Sequence, residues 1–177
     1  MLDLLRERRS VRKYQSTHLS AGLLELLKEG LLRSPSSHNL NPWEFVFVDD
    51  LEMLEKLSQA KPHGSAFLKD APLGIVVCGD ETISDVWIED CSIASVTVQY
   101  MALSLGLGSC WIQIRERMHA ETQSAEAYVQ QLLKLPEKIR VLSIIAIGYA
   151  DEDNPPFFPE QLAYHKIHAA RFTENQT

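Results

Sequence analysis

The chain has little that would mark a metal, disulfide or nucleic-acid protein. Its three cysteines, Cys78, Cys91 and Cys110, are far apart and no CxxC occurs, so neither a zinc ribbon nor a disulfide framework is indicated and buried, reduced thiols are expected. HExxH, GxSxG, a Walker sequence and the GxGxxG fingerprint are all missing. His165 and His168 are the one histidine pair near ligand spacing, and they lack an acidic or thiol partner nearby, so no metal site is expected. Positive charge is scarce: the net charge is −7, which argues against a broad nucleic-acid surface. No apolar run is long enough for a membrane span, because the stretch from about Ile83 to Leu107 carries Asp85, Glu89 and Asp90. An apolar signal core is absent at the N-terminus, where Asp3 and Glu7 also oppose a transit peptide, so a cytoplasmic location is expected.

What is present suits one soluble domain over residues 1–177, with 45% hydrophobic and 23% charged residues. A short helix is expected over residues 2–8, with SVRKY extended after it. Ser20 starts a helix through about Arg33, with Leu23, Leu27 and Leu31 as its apolar stripe. Pro35 ends it in the turn-rich PSSHNLNP segment. Trp43 to Val48 reads as a strand, and Asp49 or Asp50 caps a helix to about Gln59. A helical turn around Phe67 precedes a buried strand from Leu73 to Cys78. A long helix over about 85–105 ends at Gly106 and Gly108. Strands over 109–114 and from Val141 to Tyr149 flank a helix at 125–134. Beyond Asp151, Pro155-Pro156-Phe157-Phe158-Pro159 forbids regular structure and predicts an extended tail over about 151–177, suited to lying on a partner.

Four segments could carry chemistry. Five of the seventeen basic residues fall in the first thirteen positions: Arg6, Arg8, Arg9, Arg12 and Lys13, interleaved with Ser10. Such charge on an acidic chain is either a solvated face or the grip on an anion, and the hydroxyl favours phosphate. PSSHN is an ordinary helix-to-strand connection or a loop of hydroxyls and amides offered to a ligand. GLGSCWIQ is a helix end entering a strand or a backbone approach to a ligand. YHKIH in the tail is exposed polar sequence or a further anion contact.

Their order decides between these readings. RRSVRKY, then PSSHNLNPW, then a long helix ending in LGLGSCWI, then LSIIAIGYADE, resembles the nitroreductase family over about residues 3–172. The strand–helix alternation by itself would suit a parallel doubly wound sheet. The resemblance implies instead an α+β fold with a mixed, largely antiparallel sheet flanked by helices, a long dimerisation helix whose small residues allow close helix approach, and a C-terminal tail crossing to the partner.

It further implies a homodimer holding FMN at the subunit interface. Arg8 and Ser10 would then grip the phosphate and Arg12 the N1–C2 edge of the flavin, while Arg9, in the same cluster, has no assigned contact. Pro35, Ser36, Ser37 and Asn39 would come from the other subunit to the ring and ribityl chain. Trp111 and Ile112 would flank the ring, with a backbone N–H near Gln113 facing N5. Lys166 and His168 would reach the phosphate from the tail. Lys69 is the nearest candidate for the lysine that some relatives place before the second strand. The implied activity is ping-pong transfer of a hydride from NAD(P)H through flavin to nitroaromatic, quinone or similar acceptors, with no obligatory catalytic side chain. Two other readings stay open: a flavin-binding or flavin-transfer protein with little turnover, and a regulatory protein that binds another phosphorylated ligand.

Overall fold

The computed structural model describes residues 1–172; the remainder of the expected tail, 173–177, lies outside the described residues. In chain order the elements are α1 (Leu2–Glu7), α2 (Ala21–Leu32), β1 (Trp43–Val48), α3 (Leu51–Ser58), β2 (Leu73–Asp80), α4 (Trp87–Ser104), β3 (Gly108–Gln113), β4 (Met118–Ala120), β5 (Gln123–Ser124), α5 (Ala125–Leu133) and β6 (Ile139–Gly148). Side-chain oxygens cap the helices where the sequence offers them. Ser20 accepts from Leu23 N, Asp50 from Met53 N and Ser124 from Ala127 N. The small β4–β5 hairpin has no counterpart in the sequence pattern, being too short to show a period.

The main sheet has the order β1-β2-β6-β3, and each of its pairings is antiparallel. Its parallel component is a single bridge from Ser10 to Ser109 at the outer side of β3. β2 and β6 are buried along their length because helices cover both faces. On one face Leu73, Ile75, Val77, Ile145 and Ile147 pack with Leu27, Leu31, Ala94 and Val98 of α2 and α4. On the other, Val76, Cys78, Ile112, Ile144 and Ala146 pack with Leu54, Leu57 and Val129 of α3 and α5. A register shift in the β2–β6 pairing falls between Val77 and Cys78.

Most of the small residues of α4 lie against the sheet of their own chain. Cys91, Ala94, Ser95 and Ala102 are buried on the sheet side, where they let the helix lie close to its own strands. The outward stripe is instead larger and apolar, with Ile93 42% and Val96 44% exposed and Tyr100 and Leu103 half-buried. None of the helices among the described residues is long and apolar enough to cross a membrane.

Candidate functional site

β3 is an edge strand, and its alternation defines one side of the site. Ile114 N bonds to Leu142 O across the ladder, while Ser109 O turns away from β6 and accepts from Val11 N. By the two-residue alternation, Trp111 and Gln113 also direct N–H and C=O away from β6, to an edge that β-pairing leaves bare. The Trp111 indole donates to Gln113 Oε1 at 2.9 Å, and Gln113 Nε2 donates to Arg115 O at 3.0 Å. That amide bridge fixes the Trp111 ring over the α4 face. Ile112 does not join it: its side chain is fully enclosed in the α3–α5 core.

Residues 8–13 run beside this edge. Val11 is buried, and it packs where a Cβ on Gly108 would stand 2.7 Å from Val11 Cγ2. Arg8 and Ser10 are half-buried, and Arg12 is exposed with its guanidinium carbon 5.9 Å from the centre of the Phe67 ring. Phe67 is thus an aromatic neighbour of Arg12. Lys69 lies elsewhere, lining a cleft with Tyr14, His18 and Leu51. The Cys110 thiol sits beneath the cluster: burial pushes its pKa up, against an opposing pull from Arg12, Ser10 and Arg8.

A cleft of about 400 Å³ opens between Arg8, Arg9, Gly106, Gly108, Ser109 and Asn154. Its carboxylates are partly occupied. Glu152 accepts from the backbone N–H groups of Arg12 and Lys13, chiefly the former, and these contacts hold its pKa below the usual carboxylate range. Arg9 differs from its neighbours in that its guanidinium is taken up by the tail at Pro155 and Phe157.

The PSSHN loop is self-closed. Ser36 Oγ donates to Asn41 Oδ1 at 2.7 Å and accepts from Asn41 N at 2.9 Å. His38, Asn39 and Asn41 all adopt left-handed backbone conformations, which asparagine tolerates better than most residues. Ser37 is half-buried, whereas Pro35 and Asn39 are exposed. The loop meets α4 near its start, through Ser37 N and Asp90, whereas the Arg8 cleft touches α4 at Leu103. At 1.5 Å per residue those two points are about 20 Å apart, so one chain does not bring the loop and the basic cluster together. Lys166 is exposed on a tail turn at Tyr164–Lys166, and the half-buried His168 has its ring 4.5 Å from that of Phe172. Sequence reasoning missed Phe67, Asp90, Glu152 and Asn154, whose placement depends on long-range contacts with no local signal.

Cation and hydroxyl on one extended segment and bare N–H groups on the adjoining sheet edge make one half of the candidate site, and the polar loop near the start of α4 is a second, separate element. The family profile described as "Nitroreductase family" matches residues 5–61 and 58–149. The chain belongs to the nitroreductase family. An FMN-dependent nitroreductase from Clostridium difficile R20291 shares 44% sequence identity, with a TM-score of 0.96 over 97% of this chain and 100% of that one. A relative from Archaeoglobus fulgidus, provisionally named an NADH dehydrogenase/NAD(P)H nitroreductase, is 35% identical over 159 residues, covering 86% of each chain. An FMN reductase [NAD(P)H] from Bacillus subtilis is 26% identical over 94% of this nitroreductase-family chain and 73% of its own length.

Proposed function

We propose that this nitroreductase-family protein is an NAD(P)H-dependent FMN oxidoreductase acting as a homodimer, with each chain forming one domain over residues 1–177. The observation that carries the reading is the Val11–Ser109 hydrogen bond. It sets the cationic Arg8–Ser10–Arg12 strand against a sheet edge with unpaired N–H groups. The donor set fits FMN: Arg8 and Ser10 can hold a phosphate dianion by charge-assisted hydrogen bonds. A backbone N–H at Gln113 can donate to a ring nitrogen, and Trp111 is braced to border the ring. Arg12 supplies fixed positive charge for the pyrimidine edge, which favours the anionic reduced state.

The second half of the site comes from a partner chain in this reading. The apolar stripe Ile93–Val96–Tyr100–Leu103 is left uncovered within one chain, and two α4 helices meeting on it antiparallel about a two-fold axis would set the start of one beside the end of the other. That brings the Ser37–Asn39 loop of one subunit to the basic cluster of its partner. Lys166 adds positive charge near the phosphate from the tail, and His168 a further polar contact. FMN, when bound, supplies ping-pong hydride transfer from NAD(P)H to nitroaromatic, quinone or similar acceptors. The protein binds, orients and tunes, and no side chain is required as an acid or base. The same reading places it in the cytoplasm, where its three unpaired cysteines, all buried, remain reduced.

The test is a visible spectrum of purified protein reconstituted with FMN, followed by anaerobic addition of NADH or NADPH. The expected result is one FMN per chain and bleaching by at least one reductant. Colourless protein that cannot be reconstituted overturns the flavin reading, and bound flavin that neither reductant bleaches overturns the enzyme.

A further inference from the structure

Strain and unmet polar demand are concentrated around one short segment. Among the described residues, the buried side-chain atoms without a hydrogen-bond partner are Asp90 Oδ2 and Trp43 Nε1. Both border the loop at 36–42. Asp90 is 2% exposed, and its other oxygen, Oδ1, accepts from Ser37 N at 2.8 Å. Trp43 follows directly on Pro42. Within the segment lie the left-handed backbones of His38, Asn39 and Asn41. A buried carboxyl with one bare oxygen is costly, as is each left-handed residue that is not glycine. A chain under no other demand would relax such a segment by placing an apolar residue at 90 and glycines in the loop. The cost is local, and the Asp90–Ser37 bond is where the segment meets α4, so the contact has a purpose.

We propose that Asp90 is a positioning residue for the cofactor: by holding the Ser37 amide from α4, it sets the height and orientation of the loop that carries Ser36, Ser37 and Asn39. The geometry favours this over a direct role. Asp90 is enclosed and cannot touch a ligand, whereas Ser37 stands between it and the surface. The loop's other ties are internal, through Ser36 and Asn41, except at its far end, where Pro42 O accepts from Asp80 N at 2.8 Å. The internal bonds fix its shape, the Asp80 bond anchors the end that enters β1, and the bond to α4 anchors the end that carries Ser36, Ser37 and Asn39. Since α4 carries the outward apolar stripe, the same helix would fix the loop relative to the partner's cofactor.

This inference rests on the flavin reading, and the experiment keeps the two apart. Asp90→Ala and Asp90→Asn are compared with the parent protein by amide hydrogen exchange across residues 36–41 and by FMN titration. Asn retains an oxygen that can accept from Ser37. The expected result is about tenfold faster exchange at Ser37 in Asp90→Ala, the loss of one charge-assisted bond, and FMN affinity lower by a similar factor. Asp90→Asn should restore both most of the way. Asp90→Ser, too short to reach Ser37, replaces Asp90→Ala if that variant fails to fold. Unchanged Ser37 exchange in the Ala or Ser variant overturns the positioning role, as does unchanged FMN affinity alongside fast exchange. If the parent binds no FMN the flavin reading fails, and with it the cofactor role of Asp90, while the exchange data still report whether Asp90 holds the loop.

Discussion

The guanidinium of Arg9 lies 4.2 Å from the centre of the Phe157 ring, and its Nη1 donates to Pro155 O at 2.6 Å. This contact closes a longer seam. Asn154 Nδ2 donates to Ser10 O at 3.2 Å, Asp151 N to Lys13 O at 2.9 Å and Gln15 N to Tyr149 O at 2.9 Å. The strand proposed to grip phosphate is therefore tied to the root of the C-terminal tail, and Arg9 is the outermost of these four ties. A stacked cation is worth about 0.5–2 kcal/mol. Arg9→Ala should accordingly speed limited proteolysis of the tail beyond Phe157 by about 3- to 30-fold, with helix content unchanged. An unaltered cleavage rate would remove Arg9 from this role.

Gly108 and Gly148 face each other across the β3–β6 ladder, and both are glycine for lack of room. A Cβ at Gly148 would stand 2.4 Å from Pro72 Cδ, and one at Gly108 within 2.9 Å of three Val11 atoms. Gly108→Ala should destabilise by about 1–3 kcal/mol through overpacking. It should also weaken FMN binding, since Val11 is seated between Ser10 and Arg12. Gly22, in an open position on α2, is the contrast: Gly22→Ala should stabilise by about 0.5–1 kcal/mol. Thermal melts with an FMN titration check all three effects, and equal melting temperatures for the two variants would refute the packing account.

The residues that announce the fold are those with a strong local period. The apolar run in β2, the stripe of Leu27 and Leu31 in α2 and the caps at Ser20 and Asp50 all read directly, because each depends on neighbours in sequence. Strand direction was not legible that way: βα alternation suits a parallel sheet equally well, and only the long-range register of β2 with β6 and β3 decides it. The site divides similarly. Arg8, Ser10 and the PSSHN loop were visible as odd composition, whereas Asp90 looked like one more charge at a helix start. Ile112 was misjudged for a simple reason. Neighbours on a strand face opposite ways, so Trp111 and Ile112 cannot both border one ring with their side chains.

Acid should act on a different pair as well. Asp80 Oδ2 meets Lys138 Nζ at 2.7 Å, and Oδ1 accepts from the Thr82 hydroxyl at 2.6 Å and amide at 3.0 Å. The lysine contact chiefly, then Thr82, lowers the Asp80 carboxyl from 3.8 to about 2. Its folded value is below its unfolded one, so its stabilisation is complete above about pH 4 and is withdrawn as pH falls towards 2. Urea midpoints of the parent should drop across that window, and those of Asp80→Asn should drop less. Parallel curves for the two proteins would deny Asp80 this share of acid sensitivity.

The separation of about 20 Å along α4 between the Ser37 contact and the Arg8 cleft makes the interface reading testable without a structure of the dimer. Arg8→Ala should weaken FMN by about 1.5–3 kcal/mol, the loss of a charge-assisted phosphate contact. Asn39→Ala loses the hydrogen bond proposed to FMN and places a β-carbon without a polar end in a left-handed backbone. Co-expressed and purified as the mixed dimer, the two lesions segregate if each site takes its basic cluster from one chain and its loop from the other. One site of the heterodimer then carries both lesions and the other carries neither. In the purified mixed dimer about half of the sites should recover the parent's FMN affinity, because each dimer has one intact site of two. If loop and cluster serve the same site from the same chain, every site keeps one lesion and no tight-binding fraction emerges. A titration at FMN concentrations between the parent and mutant dissociation constants separates these outcomes directly.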